Sequence, residues 1–171
     1  MESLIQGRVC KFGDNINSDI IIPGRYLIHI DAHTLSQHAF EVLGKEYPAK
    51  LRNFQILVAG RNFGCGSARE QAATAIQGVG IKAVVACSFA RTFYRNAIND
   101  GLPIIECPDL YAAVEEGDEI MIDLAAGKIR HETQQGGKEY SFPQLPDSVR
   151  KILELGGLAA YLKARLAATQ G

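Results

Sequence analysis

The segment Gly64-Cys65-Gly66-Ser67-Ala68-Arg69-Glu70 gathers most of the chemistry this chain can offer. Ser67 supplies a hydroxyl for proton transfer. Arg69 supplies a planar guanidinium, which grips a carboxylate or phosphate through two parallel hydrogen bonds. The glycines flanking Cys65 let backbone N–H groups approach a ligand closely. Ser67 and Glu70 are spaced as a capping box, so a helix is expected to open here with Ser67 as its N-cap. An arginine in that first turn opposes the helix macrodipole, and an unfavourable local choice of this kind points to a ligand. The segment is not a Walker A loop, because no Gly-Lys-Ser/Thr follows. It is not G-x-G-x-x-G, because Arg69 stands where the third glycine belongs, and it is not G-x-S-x-G.

A serine base needs help. Lowering a hydroxyl from a pKa of roughly 13 to near 7 requires about 8 kcal/mol, at about 1.4 per unit. A helix terminus contributes at most about 2 kcal/mol. The remainder must come from preorganised donors and positive charge in a dry cleft. No His or Asp stands within the motif, so Ser67 can act as a base only if another surface closes over it.

The flanking pattern predicts where this segment sits. Residues 54–59 form a buried-strand run, and a helix is predicted from Ser67 to about Gln77, ended by Gly78 and Gly80. Residues 83–87 form a second strand, 89–99 a second helix closed by Asp100-Gly101, and 102–105 a third strand. Strands alternating with helices of this length imply a parallel sheet with right-handed crossovers, so Ser67 falls at its carboxyl edge, where α/β proteins bind ligands. Residues 7–12 and 119–124 also read as strands. Gln134-Gln135-Gly136-Gly137 marks a hairpin between 128–132 and 139–142. Helical spacing is predicted over 34–43, with Leu35, Ala39, Val42 and Leu43 on one face, and over 149–155 and 158–166. The expected architecture is one α/β domain over residues 1–171, with a parallel core sheet, added β hairpins and a C-terminal helix.

Composition removes several function classes. The 171 residues are 47% hydrophobic and 22% charged, which matches a globular chain and not a disordered one. A net charge of −1 lacks the basic excess of a nucleic-acid or membrane-surface binder, so neither partner is expected. No apolar run approaches a membrane span, and the opening residues lack the basic and apolar regions of a signal peptide, so a cytoplasmic address is expected. Cys10, Cys65, Cys87 and Cys107 are all far apart in sequence, so no metal site or iron–sulfur cluster is expected from this chain alone. His29, His33 and His38 are close in sequence, but their spacing carries no special ligand geometry.

Three segments together resemble a known family. Asn62-Phe63-Gly64-Cys65-Gly66-Ser67-Ala68-Arg69-Glu70 looks like the signature of the aconitase swivel domain, and the chain is similar to the small subunits of 3-isopropylmalate dehydratases. Asn17-Ser18-Asp19-Ile20-Ile21-Ile22-Pro23 resembles that family's N-terminal segment. Ser88-Phe89-Ala90-Arg91 with Arg95-Asn96 resembles a third. The resemblance implies an aconitase-type swivelling β/β/α domain and a hydro-lyase subunit that is inactive alone. It implies a 3-isopropylmalate dehydratase large subunit as partner, carrying a 4Fe–4S cluster, and an alkylmalate substrate. By the same resemblance Ser67 matches the catalytic base and Arg69 the substrate-carboxylate binder. Asp19 matches an aspartate at the active-site edge that orients a partner residue; Cys65 and Gly66 lie at that edge.

Substrate choice in this family is read at Tyr26-Leu27-Ile28-His29, where homoaconitase-type members resemble Tyr-Leu-Arg-Thr. Ile28 can pack on an alkyl group and cannot pair a third carboxylate, although Arg25 nearby can supply a cation. The chain departs from the family pattern at Ala68, which lacks a hydroxyl but keeps its N–H, and at Gln71, where most members have histidine. Residues 24–33 are expected to be mobile without the partner. Related readings are a 2,3-dimethylmalate dehydratase or homoaconitase small subunit. From the residues alone, a phosphate-binding module at Ser67 and a redox protein using Cys65 also stay open.

Overall fold

The computed structural model describes residues 3–170. The reading of the opening residues as no signal peptide rests partly on Met1 and Glu2, which lie outside them.

Strand β1 (Leu4–Lys11) organises the sheet because its two halves pair differently. Val9, Cys10 and Lys11 run parallel to Ile56, Leu57 and Val58 of β2 (Ile56–Ala59). Leu4 to Arg8 run antiparallel to β5 (Glu119–Asp123). Beyond β2 the parallel part continues through β3 (Ala83–Ala86) and β4 (Ile104–Glu106). Beyond β5 come β6 (Lys128–Thr133) and β7 (Gly136–Ser141), the predicted hairpin. The hairpin is therefore no separate appendage. It extends one seven-stranded sheet, ordered β4-β3-β2-β1-β5-β6-β7.

Both faces of the parallel strands are covered, which is why they read as unbroken apolar runs. Cys10, Leu57, Ala59, Val84, Ala86 and Ile104 face one core. Val9, Ile56, Val58, Ala83, Val85 and Ile105 face the other. The first core is roofed by α1 (Ser18–Ile21), α2 (Ala32–Ser36), α4 (Glu70–Gly78), α5 (Arg91–Asn99) and α7 (Asp147–Glu154). Helix α3 (Tyr47–Leu51) precedes β2. The second core contains Leu110 of α6 (Pro108–Ala113), and α8 (Leu158–Thr169) packs on α5 and α7. Helices α1, α3 and α6 carry too few residues to leave a periodic apolar signature.

The predicted helix over 34–43 does not form as one element. Helix α2 ends at Ser36, Phe40 adopts a left-handed backbone with φ 59°, and a 3₁₀ turn follows over Glu41–Leu43. Phe40 is fully buried and stacks on Phe12 with ring centroids 4.8 Å apart. Burying Phe40 and Ala39 bends the chain, and it leaves Val42 and Leu43 exposed instead of on the core face.

The glycine-rich segment after β2 rests on an aromatic cluster. Phe63 is buried and meets Phe93 edge-on at 5.2 Å and Phe89 at 6.0 Å. Gly64 lies over Phe93 with φ 79°, and a Cβ there would stand 2.2 Å from the Phe93 ring. Gly80 also has positive φ (99°) but open space around it. Gly64→Ala should therefore cost about 3 kcal/mol, combining left-handed strain and overpacking. Gly80→Ala should cost about 1 kcal/mol, from strain alone. For a chain of this length that separates the two melting temperatures by roughly 4–8 °C. Equal melting of the two variants would contradict the packing described for Gly64.

Candidate active site at the carboxyl edge of the parallel sheet

Three sequence motifs meet where β1, β2 and β3 end. The segment 16–18 is stitched to the glycine loop by backbone hydrogen bonds. The Gly64 N–H donates to Ile16 O at 2.7 Å and the Ser18 N–H to Cys65 O at 2.8 Å. The buried Ser18 hydroxyl then donates to Ser67 O at 2.6 Å. On the other side the Phe63 N–H donates to Ser88 O at 3.0 Å, and the Ala90 N–H to Phe63 O at 2.9 Å. Asn17 caps α1, accepting from the Ile20 N–H at 2.9 Å, and so fixes the turn that presents Ser18 inward and Asp19 outward.

This arrangement overturns the capping box. Helix α4 starts at Glu70, its N-cap is Arg69, and no side chain caps it. The Ser67 carbonyl is taken by Ser18, and the first helical carbonyl is that of Arg69, which accepts from the Ala72 N–H at 3.2 Å. Gly66, with φ 89°, turns the chain so that Ser67 precedes the helix instead of opening it. Ser67, Ala68 and Gly66 are exposed at the expected carboxyl edge. Among the described residues, the Ser67 hydroxyl and the N–H groups of Ser67 and Ala68 have no hydrogen-bond partner. The energetic consequence is direct. The macrodipole fades within about one turn, so α4 assists Ser67 less than an N-cap position would.

Arg69 is largely buried, and its Nη1 donates to Ile22 O at 3.1 Å and pairs with Asp19. Both contacts use one nitrogen, which leaves the Nη2 and Nε donors of the fork. Asp19 therefore partners an arginine of its own chain, a neighbour the sequence did not reveal. It stays mostly exposed to solvent, so an arriving carboxylate can compete with it for the guanidinium. Cys65 is half-buried and contributes its carbonyl to the stitch. Burial pushes the thiols of Cys10, Cys87 and Cys107 up, that of Cys10 to about 12 with Glu116 beside it. Among the described residues no group of His, Cys, Asp and Glu is placed to hold a metal ion.

The segment over 24–33 is not free along its first half. Glu41 accepts from Arg25, from the Tyr26 hydroxyl at 2.7 Å and from His38 Nδ1 at 2.8 Å. Tyr26 stacks on His38 with centroids 3.7 Å apart. Gln71 Nε2 donates to Leu27 O at 3.2 Å. Arg25, read as a spare cation for substrate, is thus already paired. Ile28 and Ile30 are each 84% exposed, an open apolar rim that a closing surface would cover. Ser18, Glu41 and Gln71 were not identified as site residues by sequence reasoning. Ser67, Tyr26 and Leu27, which they respectively hold, stand 15 to 49 residues away, and only the packed fold supplies those neighbours.

A cleft of about 630 Å³ lies at the opposite edge of the parallel strands, between Gln6, Lys82, Leu102 and Met121. Neither Ser67 nor Arg69 lines it. Gly66, Ser67 and Ala68 lie instead on an exposed edge.

The sequence profile of the aconitase C-terminal domain matches residues 15–109. A 3-isopropylmalate dehydratase small subunit from Pyrobaculum calidifontis is 50% identical over 162 residues, covering 95% of this chain and 99% of that one. A methanogen homoaconitase small subunit from Methanothermobacter thermautotrophicus is 49% identical over 164 residues, covering 95% and 94%. A crystal structure of 3-isopropylmalate dehydratase from Methanocaldococcus jannaschii superposes with a TM-score of 0.87 at 42% identity, over 98% of this chain and 99% of that one.

The Glu41 latch carries a pH signature. Burial pushes its carboxyl up, but hydrogen bonds from Tyr26 and His38, with the charges of His38 and Arg25, outweigh that and hold it below the usual range. A depressed carboxyl stabilises the fold above its unfolded pKa and loses that contribution as pH falls through the folded value. Glu41→Gln should therefore lower stability by about 1–3 kcal/mol at neutral pH, and the gap should close below the ordinary glutamate range. Denaturant titrations from pH 7 to pH 3 measure it, and a gap that widens in acid would contradict the latch.

Proposed function

The chain belongs to the aconitase C-terminal domain family, and from that premise we propose that it is the small subunit of a 3-isopropylmalate dehydratase. In this reading residues 1–171 act as one swivel domain in the cytoplasm. Together with a large subunit the chain interconverts 2- and 3-isopropylmalate by loss and return of water. Among the described residues no helix is long and apolar enough to cross a membrane. The large subunit would carry an iron–sulfur cluster, which supplies a Lewis acid for the substrate hydroxyl. Among the described residues of this chain, no group of His, Cys, Asp and Glu is placed to hold it.

What supports the reading is the exposed Ser67 hydroxyl, without a hydrogen-bond partner among the described residues and two residues ahead of the held guanidinium of Arg69. Ser67 takes the proton from the carbon next to a carboxylate. Arg69 grips that carboxylate with the donors its own chain leaves free, and so fixes the C–H bond relative to Ser67. The N–H groups of Ser67 and Ala68 stabilise the deprotonated hydroxyl. Closure against the partner excludes water, which strengthens each of these interactions. Ile28 and Ile30 lose their exposure in the same closure, and Ile28 meets the alkyl group.

The same geometry separates this substrate from a tricarboxylate. A third carboxylate needs a facing cation, and an unpaired buried charge is rejected far more strongly than a methylene difference. The segment offers Ile28 and an Arg25 already neutralised by Glu41.

Mixing the purified chain with an iron–sulfur large subunit should produce turnover of isopropylmalate that neither part shows alone. Ser67→Ala should lower kcat by about 10²–10⁴-fold with an unchanged circular dichroism spectrum, the range for loss of a positioned base. Arg69→Lys should raise KM by about 10-fold or more, because an ammonium cannot reproduce the fork. Full turnover by Ser67→Ala would remove the base assignment, and faster turnover of homocitrate-type substrates would reverse the substrate assignment.

A further inference from the structure

The first turn of α4 holds the backbone of the 22–28 segment at two points. Arg69 Nη1 binds the carbonyl of Ile22, and Gln71 Nε2 binds the carbonyl of Leu27. Between them lie Pro23 and the 3₁₀ turn Gly24–Tyr26, with Gly24 alongside the Arg69 guanidinium. A Cβ at Gly24 would stand 3.5 Å from Nη2, so the turn lies against the cation without crowding it. The Leu27 carbonyl belongs to the peptide that joins Leu27 to Ile28. Gln71 therefore fixes the peptide plane that aims Ile28, whose side chain is in contact with little else of its own chain.

We propose that Gln71 is a positioning residue for substrate selection. It ties Ile28, the alkyl contact, to the helix start that also carries Arg69, the carboxylate grip. The inference rests on the dehydratase reading above and adds to it a fixed spacing between two recognition groups that are 41 residues apart in sequence. The physical case is that the spacing runs through one rigid turn, not through the length of the loop. Gln71 reaches neither group directly, and its amide stays neutral, so its hold on the carbonyl is independent of pH. Glu41 latches the opposite side of the turn through Arg25 and Tyr26, leaving the Leu27 carbonyl to Gln71 alone.

An apolar contact discriminates alkyl groups by dispersion and area, both of which fall away when a side chain shifts by about 1 Å. Loss of the Gln71 bond should therefore act on binding of the branched alkyl group and leave the proton transfer at Ser67 in place.

The test uses the reconstituted complex with 3-isopropylmalate and with 3-methylmalate, its methyl counterpart. Gln71→Leu should raise KM for isopropylmalate by about 10-fold, the scale of one methylene contact, with kcat within about 2-fold. The isopropyl-to-methyl ratio of kcat/KM should fall by a similar factor. Gln71→His, which restores an N–H donor of similar reach, should recover most of both. An unchanged ratio in Gln71→Leu, or a kcat that falls as far as kcat/KM, would overturn the proposal. Hydrogen exchange on the isolated chain gives a second readout: the Leu27 and His29 amides, which donate to Gly24 O and Tyr26 O, should exchange about 10-fold faster in Gln71→Leu and not in Gln71→His. Unchanged exchange would overturn the tie itself. If the wild-type complex turns over neither substrate, the dehydratase reading fails, while the exchange result still decides whether Gln71 holds the loop.

Discussion

A single hydroxyl-to-carbonyl hydrogen bond, from Ser18 to the Ser67 backbone at 2.6 Å, decides what this sheet edge can do. With the two backbone bonds beside it, it turns the glycine loop away from the helix that would otherwise absorb Ser67. Ser18 is almost fully buried, so its hydroxyl is committed to this acceptor, and leaving either group unpaired there would cost about 1–3 kcal/mol. The bond therefore stabilises the fold and exposes the reactive group together. Gly66 makes the required turn possible, and the Phe63, Phe89 and Phe93 rings support it from below.

The site that results is half of one. Ser67, the free N–H groups and Arg69 stand on an open edge in water, where electrostatic assistance is weak. Because Ser67 stands ahead of α4, the helix contributes little to its basicity. The shortfall must be met by charge and desolvation from a partner surface. The exposed Ile28 and Ile30 give that surface something apolar to cover. Under the proposed function, inactivity alone and activity in a complex would both follow from this arrangement. The parallel strands, buried on both faces, form the frame on which the loops at their ends are held.

The strands were legible in the sequence because a doubly covered parallel sheet writes itself as short apolar runs, as in residues 54–59 and 83–87. The hairpin was legible through Gln134-Gln135-Gly136-Gly137. The helix over 34–43 was misjudged because burial of Phe40 overrides helical spacing with a left-handed residue. The capping box was misjudged because Ser18, 49 residues upstream, competes for the Ser67 carbonyl. Ser67 and Arg69 stood out as residue types and Asp19 through the family resemblance, but the Asp19–Arg69 pair and the Arg25–Glu41 pair depend on tertiary neighbours. Those pairs redefine which cations are available to a ligand, and no local pattern encodes them.

The most direct measurement is a structure of the chain closed on its large subunit with an alkylmalate bound. The account predicts Ser67 Oγ about 3–3.5 Å from the carbon next to a carboxylate, with Arg69 on that carboxylate and Ile28 against the alkyl group. A bound substrate held away from Ser67, with the proton-bearing carbon facing a group of the large subunit, would contradict it.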